Sequence, residues 1–147
     1  MTWTSYRASF TMHVMTALFF VAVENSANGE DPYRSTDLGY AIFSGQRALV
    51  AHLRDDNRMV PANAARCINC HGHMDNAASF APPLTRRHLL SDAERRGGPP
   101  SHYTLISFCR VLRAGVDPTG IVLKKAMPQY TLSDTECAAL WSFVIDS

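Results

Sequence analysis

The chain has 147 residues, 46% of them hydrophobic, and a formal charge of +1. That length fits one globular domain, and so small a charge excludes a nucleic acid or other polyanion as the expected partner. Four cysteines are too few for a disulfide framework at this size, and neither repeats nor low-complexity tracts occur.

The N-terminus reads as an export signal. Arg7 supplies a positive start, and residues 14–23 form an apolar run interrupted by Thr16. At about 20 residues per transmembrane helix that run is too short to span a bilayer, but it suits the apolar core of a signal peptide. The alternative is a short buried helix. Small residues at 27–29 place the cleavage there, so residues 1–29 are expected to be removed, 30–35 to be a linker and 36–147 to be the working domain. No transmembrane span is expected in the mature chain.

A first helix is expected from Thr36 or Asp37 as cap. Leu38, Ile42, Leu49 and Leu53 recur at helical intervals, with Phe43 and Val50 beside them. The polar stretch 54–58 should end it, and Pro61 cannot continue it. Residues 63–66 lead as a turn into Cys67-Ile68-Asn69-Cys70-His71. After Gly72 comes a polar loop containing Asn76, then Ala81-Pro82-Pro83-Leu84. A short helix is expected within 86–96, with 91–94 as its start, and a turn at Gly97-Gly98-Pro99-Pro100. Ser101 should cap a helix running to Ala114, with Leu105, Ile106, Phe108, Cys109 and Leu112 apolar and Gly115 in the left-handed position. Residues 116–120 form a turn, and Met127-Pro128 breaks any periodicity. Ser133 and Glu136 make a capping box, aided by Asp134. Ala139, Leu140, Phe143 and Val144 give the last helix its apolar face, with Trp141 beside it. Three main helices, long loops and almost no alternating apolar pattern predict an all-α domain.

Residues 67–71 carry the chemistry. C-x-x-C-H is the attachment pattern for one c-type haem. Two thiols on one turn can each add across a porphyrin vinyl group, and the following His71 then lies under the iron as the proximal ligand. A zinc site would need a second close pair of ligands, and Cys109 and Cys137 are isolated from each other and from this pair. A redox dithiol would want a βαβ context. Covalent haem attachment in bacteria occurs outside the cytoplasm, which agrees with the export signal and predicts a periplasmic location.

From residue 36 to 146 the order of features resembles the class I c-type cytochromes, small mono-haem electron carriers. The match lies in CINCHG, in Met127 within MPQYTLSD, and in the following ALWSF. The resemblance implies the class I cytochrome c fold, with short helices and loops wrapped around one haem, and Met127 as distal iron ligand. It implies that Gly39 and Phe43 on the first helix pack on Leu140 and Phe143 of the last. It also implies that the Pro82 carbonyl accepts a bond from His71 Nδ1–H, orienting the ring, and that Leu84 packs on the porphyrin. The chain departs from the family between Phe43 and Cys67, where residues 54–66 are inserted, and again over residues 86–100.

Each candidate has a plainer alternative. Met127 could be an ordinary core methionine; as a ligand opposite imidazole it would raise the potential. Met59, Met74, His73, His88 and His102 are its competitors, the last two implying a bis-His iron. Cys109 and Cys137 are either a disulfide, which an oxidising compartment permits, or two buried thiols. Lys124 and Lys125 either steer an acidic redox partner or are solvated surface charges. Arg86, Arg87, Arg95 and Arg96 stand under the same choice. Tyr130 and Trp141 read as structural. No paired carboxylates or nucleophile–base set is recognisable, so hydrolytic chemistry is not expected.

The expected function is single-electron transfer between a redox donor and acceptor, such as a periplasmic dehydrogenase or oxidase, by Fe(II)/Fe(III) cycling with His71/Met127 ligation. Two alternatives remain: a haem subunit docked in a larger periplasmic oxidoreductase, and a five-coordinate haem that binds a ligand or activates peroxide.

Overall fold

The computed structural model describes Met1 and residues 32–56, 58–72 and 81–146. The expected signal segment, with Arg7 and residues 14–23, lies outside the described residues, as do His73, Met74 and Asn76. Among the described residues the chain forms five helices and four short strands.

Helix α1 (Pro32–Ser44) starts inside the stretch expected to be a linker, with proline at its first position, where a missing N–H costs nothing. It ends well short of Leu53. Gly45 takes φ 82°, a conformation that costs glycine little, and the chain leaves the helical path there. Leu49 and Val50 therefore do not continue the helix. Val50 instead begins strand β1 (Val50–His52), in which Ala51 alone is fully buried.

A one-turn helix, α2 (Ile68–His71), carries the attachment motif. Helix α3 (Arg86–Leu90) starts five residues earlier than expected. Its cap is Thr85, whose hydroxyl accepts from the His88 amide at 3.2 Å, and Ser91 ends it instead of starting it. Strands β2 (Ala93–Glu94) and β3 (Pro100–Ser101) then pair antiparallel around the expected glycine turn. Arg95 holds this hairpin together by donating to the carbonyls of Ala93, Ser101, His88 and Ser91.

Helix α4 (Leu105–Ala114) is capped by Thr104, not Ser101, through a reciprocal capping box with Ser107. Its buried face is Phe108, Val111 and Leu112, while Ile106 is 82% exposed. Gly115 is left-handed, as its position predicts. Strand β4 (Gln129–Thr131) follows Pro128, and helix α5 (Asp134–Asp146) closes the chain. The Ser133–Glu136 capping box forms in both directions: the Glu136 amide donates to Ser133 Oγ at 3.2 Å and the Ser133 amide to Glu136 Oε2 at 2.9 Å.

The all-α class I cytochrome c fold expected from the sequence is therefore corrected. Strand β1 pairs antiparallel with β4, Ala51 opposite Tyr130, and β2 with β3, so the described chain is a mixture of helices and two small antiparallel sheets. Strands of two or three residues are too short to leave an alternating pattern; their partners across the chain define them.

The core lies between α1, α4 and α5, with Ile42, Phe108, Leu112, Leu140 and Val144 at its centre. Gly39 marks the place where α1 and α5 approach most closely. A Cβ there would overlap the Ala139 carbonyl oxygen and the Phe143 Cβ. Phe43 lies against the Phe143 ring at 5.4 Å. The crossing expected of Gly39 and Phe43 with Phe143 is formed.

Candidate functional site

A cavity of about 480 Å³ opens between α2, α3, α4 and the loop that leads into β4. Its size is that of a pocket for an organic ligand or cofactor, roughly 300–1,000 Å³. Cys67, Cys70, His71, Pro82, Leu84 and Met127 all line it. Residues from three distant parts of the chain, expected from the sequence to share one cofactor, thus meet on one wall system.

Helix α2 gives the attachment motif its geometry. The His71 amide donates to the Cys67 carbonyl at 2.9 Å and the Gly72 amide to Ile68 at 3.0 Å, so both cysteines and the histidine share one turn. Neither Cys67 nor Cys70 is in a disulfide. Burial, with Cys70 nearby, pushes the Cys67 thiol up to about 11; at neutral pH it is an uncharged thiol.

His71 is 7% exposed. Its Nδ1 lies 2.7 Å from the Pro82 carbonyl oxygen. A carbonyl only accepts, so Nδ1 carries the hydrogen and Nε2 carries the lone pair. Burial makes the ring harder to protonate, against the pull of Pro82. Nε2 itself is buried and has no hydrogen-bond partner among the described residues. A buried polar atom without a partner is uncommon and costs stability. An acceptor nitrogen held neutral and oriented by a bond to the other ring nitrogen has the properties of a metal ligand. The residues present therefore fit a covalently held haem.

The competitors for the distal position separate. His88, on α3, lines the cavity. Burial and then the charges of Arg95, Arg96 and His71 make it harder to protonate. His102 does not line the cavity; it is exposed and its Nδ1 is 2.8 Å from Asp92 Oδ1. Met59 is 63% exposed, beside His52 on the far end of β1. Met127 is half-buried in the cavity wall, its amide bonded to the Lys124 carbonyl at 3.0 Å.

Cys109 on α4 and Cys137 on α5 form a disulfide, with Cα atoms 5.9 Å apart. Joined to each other, these two sulfurs are not available as zinc thiolates beside Cys67 and Cys70, and among the described residues no group of three or more His, Cys, Asp or Glu side chains is placed to hold a metal ion. No described helix is long and apolar enough to cross a membrane.

Residues beyond the expected ligands complete the site. Tyr130, read as structural whether near the haem or in the core, lines the cavity, and its hydroxyl donates to the Ala65 carbonyl at 2.9 Å. Tyr103, Phe108 and Leu123 complete an apolar wall. Arg66, Arg96 and Lys124 add positive charge. Arg96 is paired with Asp117 Oδ2 at 3.4 Å, and Asp117 is fully buried. The other Asp117 oxygen accepts from the Thr119 amide and hydroxyl and the Ile121 amide at 2.8–3.0 Å. Burial pushes this carboxyl up, but the Thr119 hydroxyl, the two amides and Arg96 outweigh it and hold it below the usual carboxylate range. Trp141 packs on Phe108 at 5.2 Å and stays structural.

Comparison of the chain with protein-family models, with curated proteins and with solved structures finds no match.

Proposed function

We propose that this chain is a c-type cytochrome that holds one haem covalently and passes single electrons between redox proteins outside the cytoplasm. The observation that carries this is His71: its Nε2 is buried without a partner among the described residues, and the residue lines a cavity together with Cys67, Cys70 and Met127. Bound there, haem would supply an Fe(II)/Fe(III) couple.

Cys67 and Cys70 would hold the group through thioethers. His71 would ligate the iron through Nε2, its ring kept in place by the Pro82 carbonyl. Met127 would supply a second iron ligand, a thioether that favours the reduced state. Leu84 and the apolar wall would exclude water. Arg96 and Lys124 would add positive charge on the cavity wall. Lys124 and Lys125 are both exposed, which supports a role in steering an acidic partner toward this edge. Such redox encounters are small and weak. The apolar run at 14–23 and the Cys109–Cys137 disulfide both support export to an oxidising compartment such as the periplasm. A second reading, bis-His ligation, is favoured by one observation: His88 lies in the same cavity.

The test is the visible spectrum of the matured protein. Sharp low-spin reduced bands, with the far-red sulfur-to-iron band when oxidised, are expected. Met127→Ala should lose the far-red band and His88→Ala should keep it. A low-spin spectrum without that band, made high-spin by His88→Ala, favours the bis-His reading. Protein without covalent haem would overturn the proposal.

A further inference from the structure

Residues 45–66 run between α1 and the attachment motif. They make three separate links to the loop that carries Met127. The first is the β1–β4 ladder, which sets Val50, Ala51 and His52 against Thr131, Tyr130 and Gln129. The second is Arg54, whose Nη1 donates to the Leu123 carbonyl at 2.8 Å. The third is the Tyr130 hydroxyl on the Ala65 carbonyl, two residues before Cys67.

These links bracket Met127 in sequence. Leu123 precedes it and Tyr130 follows it, and both are buried. Inside the bracket the loop has its own turn, Met127 amide to Lys124 carbonyl. A loop tied at both ends samples fewer conformations than one tied at a single end. Arg54 does not act as a free surface charge here. Its side chain is one-third exposed, and besides donating to Leu123 it pairs with the neighbouring Asp55 at 3.5 Å. Tyr130 is 5% exposed, so Ala65 is the partner that keeps its hydroxyl from being buried unpaired.

We propose that the segment 45–66 is a brace for the distal loop, with Arg54 and Tyr130 as positioning residues that control how readily Met127 yields its place to an outside ligand. This rests on the His71/Met127 ligation proposed above. The segment thus acts as an internal strut.

The test uses the matured haem protein in its oxidised form and imidazole as the outside ligand. The limiting rate of imidazole binding at high concentration reports release of the Met127 sulfur. Arg54→Met and Tyr130→Phe should each raise that rate about tenfold, the effect of losing one hydrogen bond worth ~1.4 kcal/mol, half-buried at Arg54 and buried at Tyr130. Arg54→Lys, which can still donate one bond, should restore part of the slow rate. Arg58→Ala removes an exposed pair with Asp56 in the same segment and should leave the rate unchanged. Thermal midpoints measured alongside separate a local release from a general loss of stability. Rates within about twofold of the parent for both Arg54→Met and Tyr130→Phe, in protein that shows the sulfur band, would overturn the brace alone. A parent protein without the sulfur band would overturn the ligation and the brace together.

Discussion

Opening the Cys109–Cys137 disulfide should cost this fold a large share of its stability. The cross-link joins α4 to α5 across a sequence separation of 28. The closed loop contains all of β4 and, with Leu123, Met127 and Tyr130, several residues that line the cavity. In the chain-entropy account, a loop of this length restricts the unfolded chain by about 3.6 kcal/mol at 25 °C. Folded domains of this kind hold roughly 5–15 kcal/mol in all, so the loss should be plain in a denaturation curve. The assay is urea unfolding followed by far-ultraviolet circular dichroism, with the parent oxidised, the parent reduced by dithiothreitol, and the Cys109→Ala/Cys137→Ala variant. Cys67 and Cys70 are not in a disulfide, so among the described residues reduction opens this bond alone. Reduced parent and double variant should both lose about 3–4 kcal/mol and agree with each other. The reduced parent keeps both sulfur atoms, which separates the cross-link from the packing of Cys137, fully buried in the core. A loss below about 1 kcal/mol in the reduced parent would refute the entropic account; it would mean that the packing of α4 on α5 already restrains the loop.

Two further outcomes follow from single contacts. Gly39→Ala should destabilise by about 1–3 kcal/mol, because the methyl meets the Ala139 carbonyl and Phe143 and the helices must separate. The gain of ~1 kcal/mol in helix propensity does not offset this, and a rise in thermal midpoint would show that the crossing is looser than the contacts say. Asp117 and Glu136 should contribute to acid sensitivity. Both carboxyls are held below the usual range, Glu136 by the Ser133 amide and the Arg47 guanidinium. A depressed folded-state value stabilises above the unfolded value, near 3.9–4.3, and that stability is lost as pH falls through the folded value. Thermal midpoints should therefore drop below about pH 4, and Asp117→Asn should start lower and fall less steeply. An unchanged slope in that variant would remove Asp117 from the account.

Some of this was open to a reader of the sequence because the signals are local. The C-x-x-C-H turn, the Ser133–Glu136 box, Gly115 after α4 and the glycine turn at 97–98 each depend on neighbours within a few positions, and backbone geometry follows from residue type at that range. The His71–Pro82 bond and the Gly39 crossing were expected only through resemblance to a family, since no local pattern encodes a contact between distant segments.

The strands were beyond sequence reading for a physical reason. Val50 continues a helical spacing as well as it begins a strand; Gly45 and the pairing with Gln129–Thr131 decide between them. Ser101 and Thr104 are both good caps, and Ser101 is taken up by the pairing with Ala93, which leaves Thr104 to cap α4. What the sequence alone determined is the chemistry of one turn: two thiols and an imidazole at haem spacing. The tertiary structure decided the rest of the site. It brought Met127, His88 and Arg96 to the same cavity, sent His102 to the surface and joined Cys109 to Cys137. Side-chain types set what a group can do, whereas the company it keeps depends on long-range packing, to which every segment contributes at once.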